Sequence, residues 1–250
     1  MPRTTNADLD ARINTFLNNS GISPRRLIYN WKEESETDAV FRFQRYHACI
    51  SEALQNDSPS QLKCCIESIL AWGNISTVKE TRERYSAILF GLNAFGRSRF
   101  TITVGEQELT IDPSCPICYE FIKTTSGKLN RPKNNPPTRL SAWTKILAAY
   151  DPTRFCIYDS RVAIALRFLF RDDKWFIPDQ YNNNNHTIPL AATIGRGTEP
   201  EESYRDYLTL LQNACPGNPG TYEKKLFMLG GVLTDMYANN PNLWIQASGW

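Results

Sequence analysis

Histidine is nearly absent from this 250-residue chain, which contains only His47 and His186. A catalytic triad or a metal centre built on several histidines is therefore nearly excluded. His47 lies in an aromatic-rich segment with helical spacing. We expect it to be a hydrogen-bonded core histidine rather than a metal ligand.

Long apolar runs are absent as well. No stretch reaches the roughly 18 consecutive apolar residues that mark a transmembrane helix. The N-terminal segment carries charges at Arg3, Asp8, Asp10, Arg12 and Arg25 and lacks the apolar core of a signal peptide. The sequence thus predicts a cytoplasmic protein, and its 41% hydrophobic content is enough for a substantial core.

Metal-binding cysteine pairs are scarce, although the chain has seven cysteines. Cys115 and Cys118 form a C-x-x-C motif, but a structural zinc site would need a second pair at similar spacing. Cys64 and Cys65 are adjacent and do not supply that pair. In a reducing compartment we expect buried thiols rather than disulfides, with no bound metal and no cofactor.

Acidic residues are missing from residues 121–150, which contain six Lys or Arg residues and no Asp or Glu. The local balance of +6 contrasts with a formal charge of +2 for the whole chain. Gly127, Pro132, Pro136 and Pro137 keep much of the segment from forming a regular helix, so backbone N–H groups and cationic side chains are available for phosphates. The alternative is a solvated basic loop without a partner.

The hydrophobic pattern predicts a mostly α-helical fold. Residues 99–112 instead alternate at period two around Gly105, which predicts one small β-hairpin. We expect one compact helical unit over 1–250, or two lobes with a cleft lined by 69–76 and 121–166. The predicted helices cover residues 7–18, 39–54, 61–71, 82–95, 141–150, 160–170, 202–213 and 222–237.

Residues 139–166, RLSAWTKILAAYDPTRFCIYDSRVAIAL, place a lysine on one helix and an aspartate at the start of the next. Asp151 and Pro152 break the first helix, because proline lacks an N–H and disfavours helical angles in the residue before it. Asp159 would stand at a helix N-terminus, where the helix dipole favours an anion. A charge at such a position is usually a cap, so Lys145 and Asp159 have both a structural and a functional interpretation.

The segments LSAWTKIL and FCIYDSRVAIAL resemble the helix-hairpin-helix DNA glycosylase superfamily, and most of all its 8-oxoguanine-glycosylase branch. There a hairpin of the type LPGVGxK precedes a V-D-x-[HR]-V segment; here the hairpin is degenerate, because residues 140–144 lack its glycines. The likeness covers residues 62–76 and 138–166. The architecture is also similar to compact phage-defence glycosylases of the Brig type, which act on bulky modified cytosines.

The resemblance implies roles for three residues. Lys145 matches the lysine that acts as nucleophile, and Asp159 matches the essential carboxylate. Asn74, in the segment ILAWGNIS, matches the polar residue that enters the gap left by a flipped base. The structural alternative is that Trp72 belongs to the core and Gly73 caps a helix before a loop.

The chemistry of base excision also explains why a carboxylate and a lysine would be needed at Asp159 and Lys145. Breaking an N-glycosidic bond builds positive charge on the sugar, which a carboxylate such as Asp159 stabilises. A partly desolvated lysine such as Lys145 can lose its proton and attack C1′, giving a Schiff base and an optional strand cleavage. The alternative for Lys145 is a plain phosphate contact.

We therefore expect a monomeric DNA glycosylase that binds double-stranded DNA, flips a modified or damaged base and leaves an abasic site. A repair enzyme of the 8-oxoguanine type with lyase activity is one alternative, and a non-catalytic helical nucleic-acid-binding module is another. Aromatic and amide groups that could hold the base are Trp72, Trp143, Trp175, Gln180 and Tyr181, although such aromatics more often close a core. The expected DNA-binding residues are Asn74, Lys123, Lys128, Arg131, Lys133, Arg139, Ser141, Thr144 and Arg161.

Overall fold

The computed structural model describes residues 6–31, 34–75, 79–105, 107–114, 116, 140–170 and 200–239. Within these ranges the chain is mostly helical, and each of the eight predicted helices is present. The helices are α1 (Asn6–Ser20), α2 (Glu36–Gln55), α3 (Pro59–Trp72), α4 (Lys79–Phe95), α5 (Leu140–Tyr150), α6 (Ser160–Leu169), α7 (Pro200–Ala214) and α8 (Gly220–Asn239).

The predicted β-hairpin is confirmed. Strands β3 (Phe100–Val104) and β4 (Gln107–Ile111) pair antiparallel, with Phe100 opposite Ile111 and Val104 opposite Gln107. Gly105 has a φ of +59°, a left-handed conformation that glycine adopts without a steric penalty. A second antiparallel pair, β1 (Asn30–Trp31) with β2 (Glu34–Ser35), is only two residues long on each side and was not predicted.

The chain divides into two compact units. The terminal unit combines Met1–Ala39 with Thr153–Trp250, and the middle unit is Val40–Pro152. Lys145 and Asn74 belong to the middle unit, whereas Asp159 belongs to the terminal unit.

In the middle unit, α3 packs against α4 and α5, and the β3–β4 hairpin packs on α4. Helix α3 begins where Ser58 caps it by accepting the N–H of Gln61, with Pro59 at the first helical position. The interior consists of apolar side chains from every one of these elements, including Leu62, Ile66, Ile69, Leu70, Ile88, Leu89, Leu92, Ile146 and Leu147.

Two expectations about the middle unit are wrong. Cys49 of α2 and Cys65 of α3 form a disulfide, whereas we expected thiols. The reason is geometric, since the two consecutive helices place these cysteines opposite each other, which spacing along the sequence does not reveal. His47 is exposed rather than part of the core, although it is satisfied: its Nδ1 lies 3.1 Å from the Ala149 carbonyl and 2.9 Å from that of Tyr150.

In the terminal unit, α6 packs closely along α8, with α1 and α7 beside them. Gly230 of α8 lies directly against the backbone carbonyl of Arg161, where the Cβ of any other residue would collide with it. Arg12 of α1 donates to the carbonyl of Leu169 at 2.7 Å, near the end of α6. These contacts fix α6, whose first turn follows Asp159.

Candidate active site

Asp159 is the N-cap of α6. Its backbone is extended, with φ −124° and ψ −176°, and its Oδ1 accepts the N–H groups of Arg161 at 3.0 Å and Val162 at 3.1 Å. A carboxylate in this position satisfies two N–H groups that have no partner within the helix and faces the positive end of the helix dipole. The side chain is only half-buried, so the cap also remains in reach of solvent.

The segment before Asp159 is buried without belonging to a helix or a sheet. Phe155, Cys156, Ile157 and Tyr158 are each at most 5% exposed. Buried backbone groups need hydrogen-bond partners, and here side chains of α7 and α8 supply them. Because residues 155–158 lead directly into the cap, these partners determine where Asp159 stands.

Three side chains hold this segment. Tyr204 donates its hydroxyl to the carbonyl of Cys156 at 3.0 Å, and Tyr207 donates to that of Ile157 at 2.8 Å. Glu223 accepts the Ile157 N–H at 3.3 Å through Oε2. We call Tyr204, Tyr207 and Glu223 the segment clamp.

Burial keeps the clamp tyrosine protonated. The pKa of Tyr207 is raised well above its ordinary value, first by desolvation and then by the nearby Cys156, Glu223, Tyr204 and Asp159. A neutral phenol remains a hydrogen-bond donor, which the carbonyl of Ile157 requires. Burial, with the negative charge of Glu223, likewise raises the pKa of the Cys156 thiol.

Lys145 is buried in the middle unit, with 5% of its surface exposed. Its Nζ donates to Ser141 Oγ at 2.6 Å, one helical turn earlier on α5. The aliphatic stem lies against Gly73, where an added Cβ would be 2.9 Å from Cδ and 3.1 Å from Cε. The absence of a side chain at Gly73 thus gives the lysine its place.

Gly73 is the C-cap of α3, as the structural alternative for this turn predicts. Asn74 follows with a φ of +55°; its N–H donates to the carbonyl of Ala71, and that of Ile75 donates to the carbonyl of Leu70. This hydrogen-bond pattern is the Schellman motif, in which asparagine is the best substitute for glycine. The turn leaves Asn74 exposed.

The structure therefore brings together two of the sequence segments that carry the family resemblance. The α3 turn with Asn74 and the α5 helix with Lys145 meet at Gly73. Nothing in the spacing along the chain required this contact.

Two of the remaining described candidates are buried, as Lys145 is. Trp143 is 1% exposed and packs edge-on against Tyr85, and Thr144 is fully buried. Trp72 is half-buried, with its ring edge-on to Phe43 at 5.1 Å between centroids. Base-pocket and DNA roles for Trp143 and Thr144, and attack by Lys145, would each require the side chain to become accessible.

Two other described candidates have structural contacts of their own. Ser141, half-buried, accepts the bond from Lys145. The guanidinium of Arg161 lies 4.8 Å above the Phe227 ring of α8, a cation–π contact that directs it along that helix. Eight further candidates lie outside the described residues: Lys123, Lys128, Arg131, Lys133, Arg139, Trp175, Gln180 and Tyr181.

Sequence reasoning missed the segment clamp. Tyr204 and Tyr207 stand three residues apart on α7 with apolar neighbours, a pattern that predicts burial and a partner for each hydroxyl. Their partners are backbone carbonyls about 50 residues away, at separations of 48 and 50. The sequence carries no signal for which carbonyls those are.

No group of three or more His, Cys, Asp or Glu residues in the described ranges is arranged to hold a metal ion. None of the helices in that part of the chain combines the length and hydropathy needed to cross a membrane. Comparison with protein-family models, curated proteins and solved structures finds no match.

Proposed function

We propose that this protein is a DNA glycosylase that extrudes a modified base and cleaves its N-glycosidic bond. The observation that carries the proposal is the meeting of the Asn74 turn with Lys145 at Gly73. The residue proposed to attack the sugar thereby lies against Gly73, the residue next to the one proposed to fill the gap in the duplex. Two segments that resemble glycosylase motifs on separate grounds thus become a single structural feature.

Asp159 supplies the negative charge in this mechanism. As the C1′–N bond lengthens, the sugar develops positive charge, and a carboxylate fixed at a helix N-terminus stabilises it without having to reorganise. The cap uses Oδ1 for the two backbone N–H groups. This arrangement fixes the orientation of the carboxylate during the reaction.

Lys145 supplies the nucleophile. The neutral amine is the form that attacks carbon. Its nitrogen bonds to C1′ while the base leaves with the electron pair of the broken bond and takes up a proton. Loss of the amine proton and opening of the sugar ring then give the Schiff base. Before attack the amine has to exchange its bond to Ser141 Oγ for the substrate.

A modified cytosine of phage DNA is the substrate we favour, in keeping with the resemblance to defence glycosylases; an oxidised purine is the repair alternative. The test is incubation with host DNA and with phage DNA carrying modified cytosines, followed by detection of abasic sites and of the released base. Release of a base from phage DNA alone supports the defence role. Absence of abasic sites on every substrate would refute the proposal.

Borohydride distinguishes the two forms of the mechanism. If Lys145 forms a Schiff base, borohydride traps a covalent protein–DNA adduct, and the Lys145→Gln variant yields none. Abasic sites without an adduct would mean that water is the nucleophile and that Lys145 has a positioning role.

A non-catalytic nucleic-acid-binding module is the second candidate, and one observation favours it. Asp159 has a complete structural function as the cap of α6. A protein of this kind would bind DNA but release no base, and Asp159→Asn would then change nothing that can be measured on DNA.

A further inference from the structure

A disulfide joins α2 to α3 in the middle unit, and the mechanism above does not use it. Cys49 of α2 and Cys65 of α3 are bonded on either side of the turn that connects the two helices, residues 56–58. That turn already holds the end of α2 beside the start of α3. The bond is therefore a second connection, and it acts on the part of α2 that precedes Cys49.

The part of α2 that precedes Cys49 is held by few buried contacts. None of residues 40–48 is buried, whereas Ile50, Ala53 and Leu54 of the same helix belong to the core. Burial of apolar side chains thus anchors the end of the helix and not its middle. Segments with few buried contacts are the ones that open locally while the rest of a protein stays folded.

Residues 43–49, which we call the α2 strap, contact the end of α3. The Phe43 ring lies edge-on to Trp72, with 5.1 Å between centroids, and the Tyr46 ring lies 6.5 Å from Trp72. Trp72 directly precedes Gly73, the C-cap of α3. By holding the Trp72 ring, the strap holds the turn that begins at Gly73.

The strap also contacts the end of α5, the helix that carries Lys145. The Nδ1 of His47 lies 3.1 Å from the carbonyl oxygen of Ala149 and 2.9 Å from that of Tyr150. The strap thus links the two helices that meet where the stem of Lys145 lies against Gly73. In this disulfide-bonded state Lys145 is 5% exposed.

We propose that the Cys49–Cys65 disulfide is a redox lock on the candidate site. While the bond is intact, the strap holds the Gly73 turn against Lys145 and the amine stays buried. Reduction releases the strap, and the turn moves away from the lysine. The inference rests on the proposed function only in taking Lys145 as the group that has to reach substrate. It adds the regulation of that site, inactive when oxidised and active when reduced.

Thiol–disulfide exchange with a dithiol reductant opens the lock. Cys49 is half-buried and Cys65 is 3% exposed, so a thiolate of the reductant attacks the Cys49 sulfur. A mixed disulfide forms, and Cys65 leaves as a thiolate that takes up a proton. The second thiol of the reductant then displaces Cys49, which also becomes a protonated thiol. The reductant ends as a disulfide, having given two electrons to the protein.

The test compares the reactivity of Lys145 in the oxidised and the reduced full chain. The protein is reduced with dithiothreitol and desalted without oxygen, or left oxidised, and its lysines are acetylated briefly and quantified by mass spectrometry. Labelling of Lys145 should rise by about 10- to 100-fold on reduction, a change in local opening that loss of a tether across 16 residues supports. Lys225, a partly exposed lysine of the terminal unit, should be labelled equally in both states.

Cys49→Ser makes the reduced state permanent, and Cys64→Ser is its matched control. Cys64 is a free, exposed cysteine next to Cys65 on α3. Cys49→Ser should show high labelling of Lys145 with or without dithiothreitol, whereas Cys64→Ser should respond to dithiothreitol as the wild type does. Base release should follow the labelling, faster in Cys49→Ser and in reduced wild type than in oxidised wild type. Melting temperature checks that both variants are folded.

Three results would overturn the inference. Labelling of Lys145 that does not change on reduction shows that the strap does not keep the lysine buried. Faster hydrogen exchange on reduction throughout the middle unit, including the β3–β4 hairpin, shows that the bond stabilises the whole unit and is no switch. Base release that is faster in the oxidised protein contradicts the direction of the lock.

Failure of this inference is distinguishable from failure of the proposed function, because lysine labelling needs no DNA. A chain whose Lys145 becomes reactive on reduction but that releases no base refutes the glycosylase and supports the lock. A glycosylase whose Lys145 labelling and base release both ignore reduction does the reverse.

Discussion

At the scale of single residues, Asp159 is both the N-cap of α6 and the proposed catalytic carboxylate, and one substitution can separate these two roles. Asparagine caps helices about as well as aspartate, because its side-chain oxygen accepts the same backbone N–H groups. Asp159→Asn should therefore keep α6 intact and retain DNA affinity, while lowering base release by about 100-fold or more through loss of the charge. Melting temperature, duplex binding and single-turnover base release measure the three quantities.

Asp159→Ala is the control for the cap. It removes the acceptor of the Arg161 and Val162 N–H groups and should cost about 0.5–2 kcal/mol of stability. If Asp159→Asn releases base at the wild-type rate, the carboxylate is a cap and has no part in catalysis.

Asn74 also combines a backbone role with a side-chain role. Its φ of +55° suits glycine, so Asn74→Gly should preserve the turn and its stability while removing the amide that would enter the duplex. Asn74→Ala removes the same amide and strains the backbone by about 1–2 kcal/mol. Equal loss of base release in both variants, measured against stability in urea, would assign the effect to the side chain. Normal release by Asn74→Gly would remove Asn74 from the mechanism.

At the scale of elements, α7 positions the start of α6. Its tyrosines hold residues 155–158, which lead directly into the Asp159 cap. Tyr207→Phe leaves the carbonyl of Ile157 without its donor in a buried place, at a cost of about 1–3 kcal/mol. We expect a slower base-release step, by about 10- to 100-fold, because small displacements of a catalytic group are costly. Duplex affinity should not change, since the residue is buried.

Tyr222→Phe provides the matched control in the same unit. Tyr222 donates its hydroxyl to Asp10 at 2.6 Å, so the variant also loses one hydrogen bond of a buried tyrosine, but not one that holds residues 155–158. Hydrogen exchange adds a measurement that needs no enzyme activity. The Arg161 and Val162 amides should exchange faster in Tyr207→Phe and not in Tyr222→Phe. Unchanged exchange in both would contradict a positioning role for Tyr207.

At the scale of the whole molecule, charge is unevenly distributed along a nearly neutral chain. The basic residues of 121–139 lie outside the described residues, so a prediction about them depends on the sequence alone. Replacing Lys128, Arg131 and Lys133 together by glutamine should weaken duplex binding and flatten its salt slope by up to about three units. Base selectivity should survive, because phosphate contacts position a duplex without reading it. An unchanged slope would place this segment away from DNA.

The helices and the hairpin could be predicted because each depends on periodicity over neighbouring residues. The cap could be predicted for the same reason, since an aspartate before an apolar helix has one common local role. The exposure of His47 and the Cys49–Cys65 disulfide could not be predicted, because burial and pairing depend on which helices come to lie side by side.

The sequence by itself determined the helical character of the chain, the position of Asp159 at a helix start and the basic stretch before α5. Only the tertiary structure placed Lys145 against Gly73 and clamped residues 155–158 with Tyr204, Tyr207 and Glu223. The physical reason is the separation along the chain over which each effect acts. Propensity, periodicity and capping act within a few residues. Gly73, in contrast, makes room for Lys145, which comes 72 positions later, and this packing is not encoded in any local pattern.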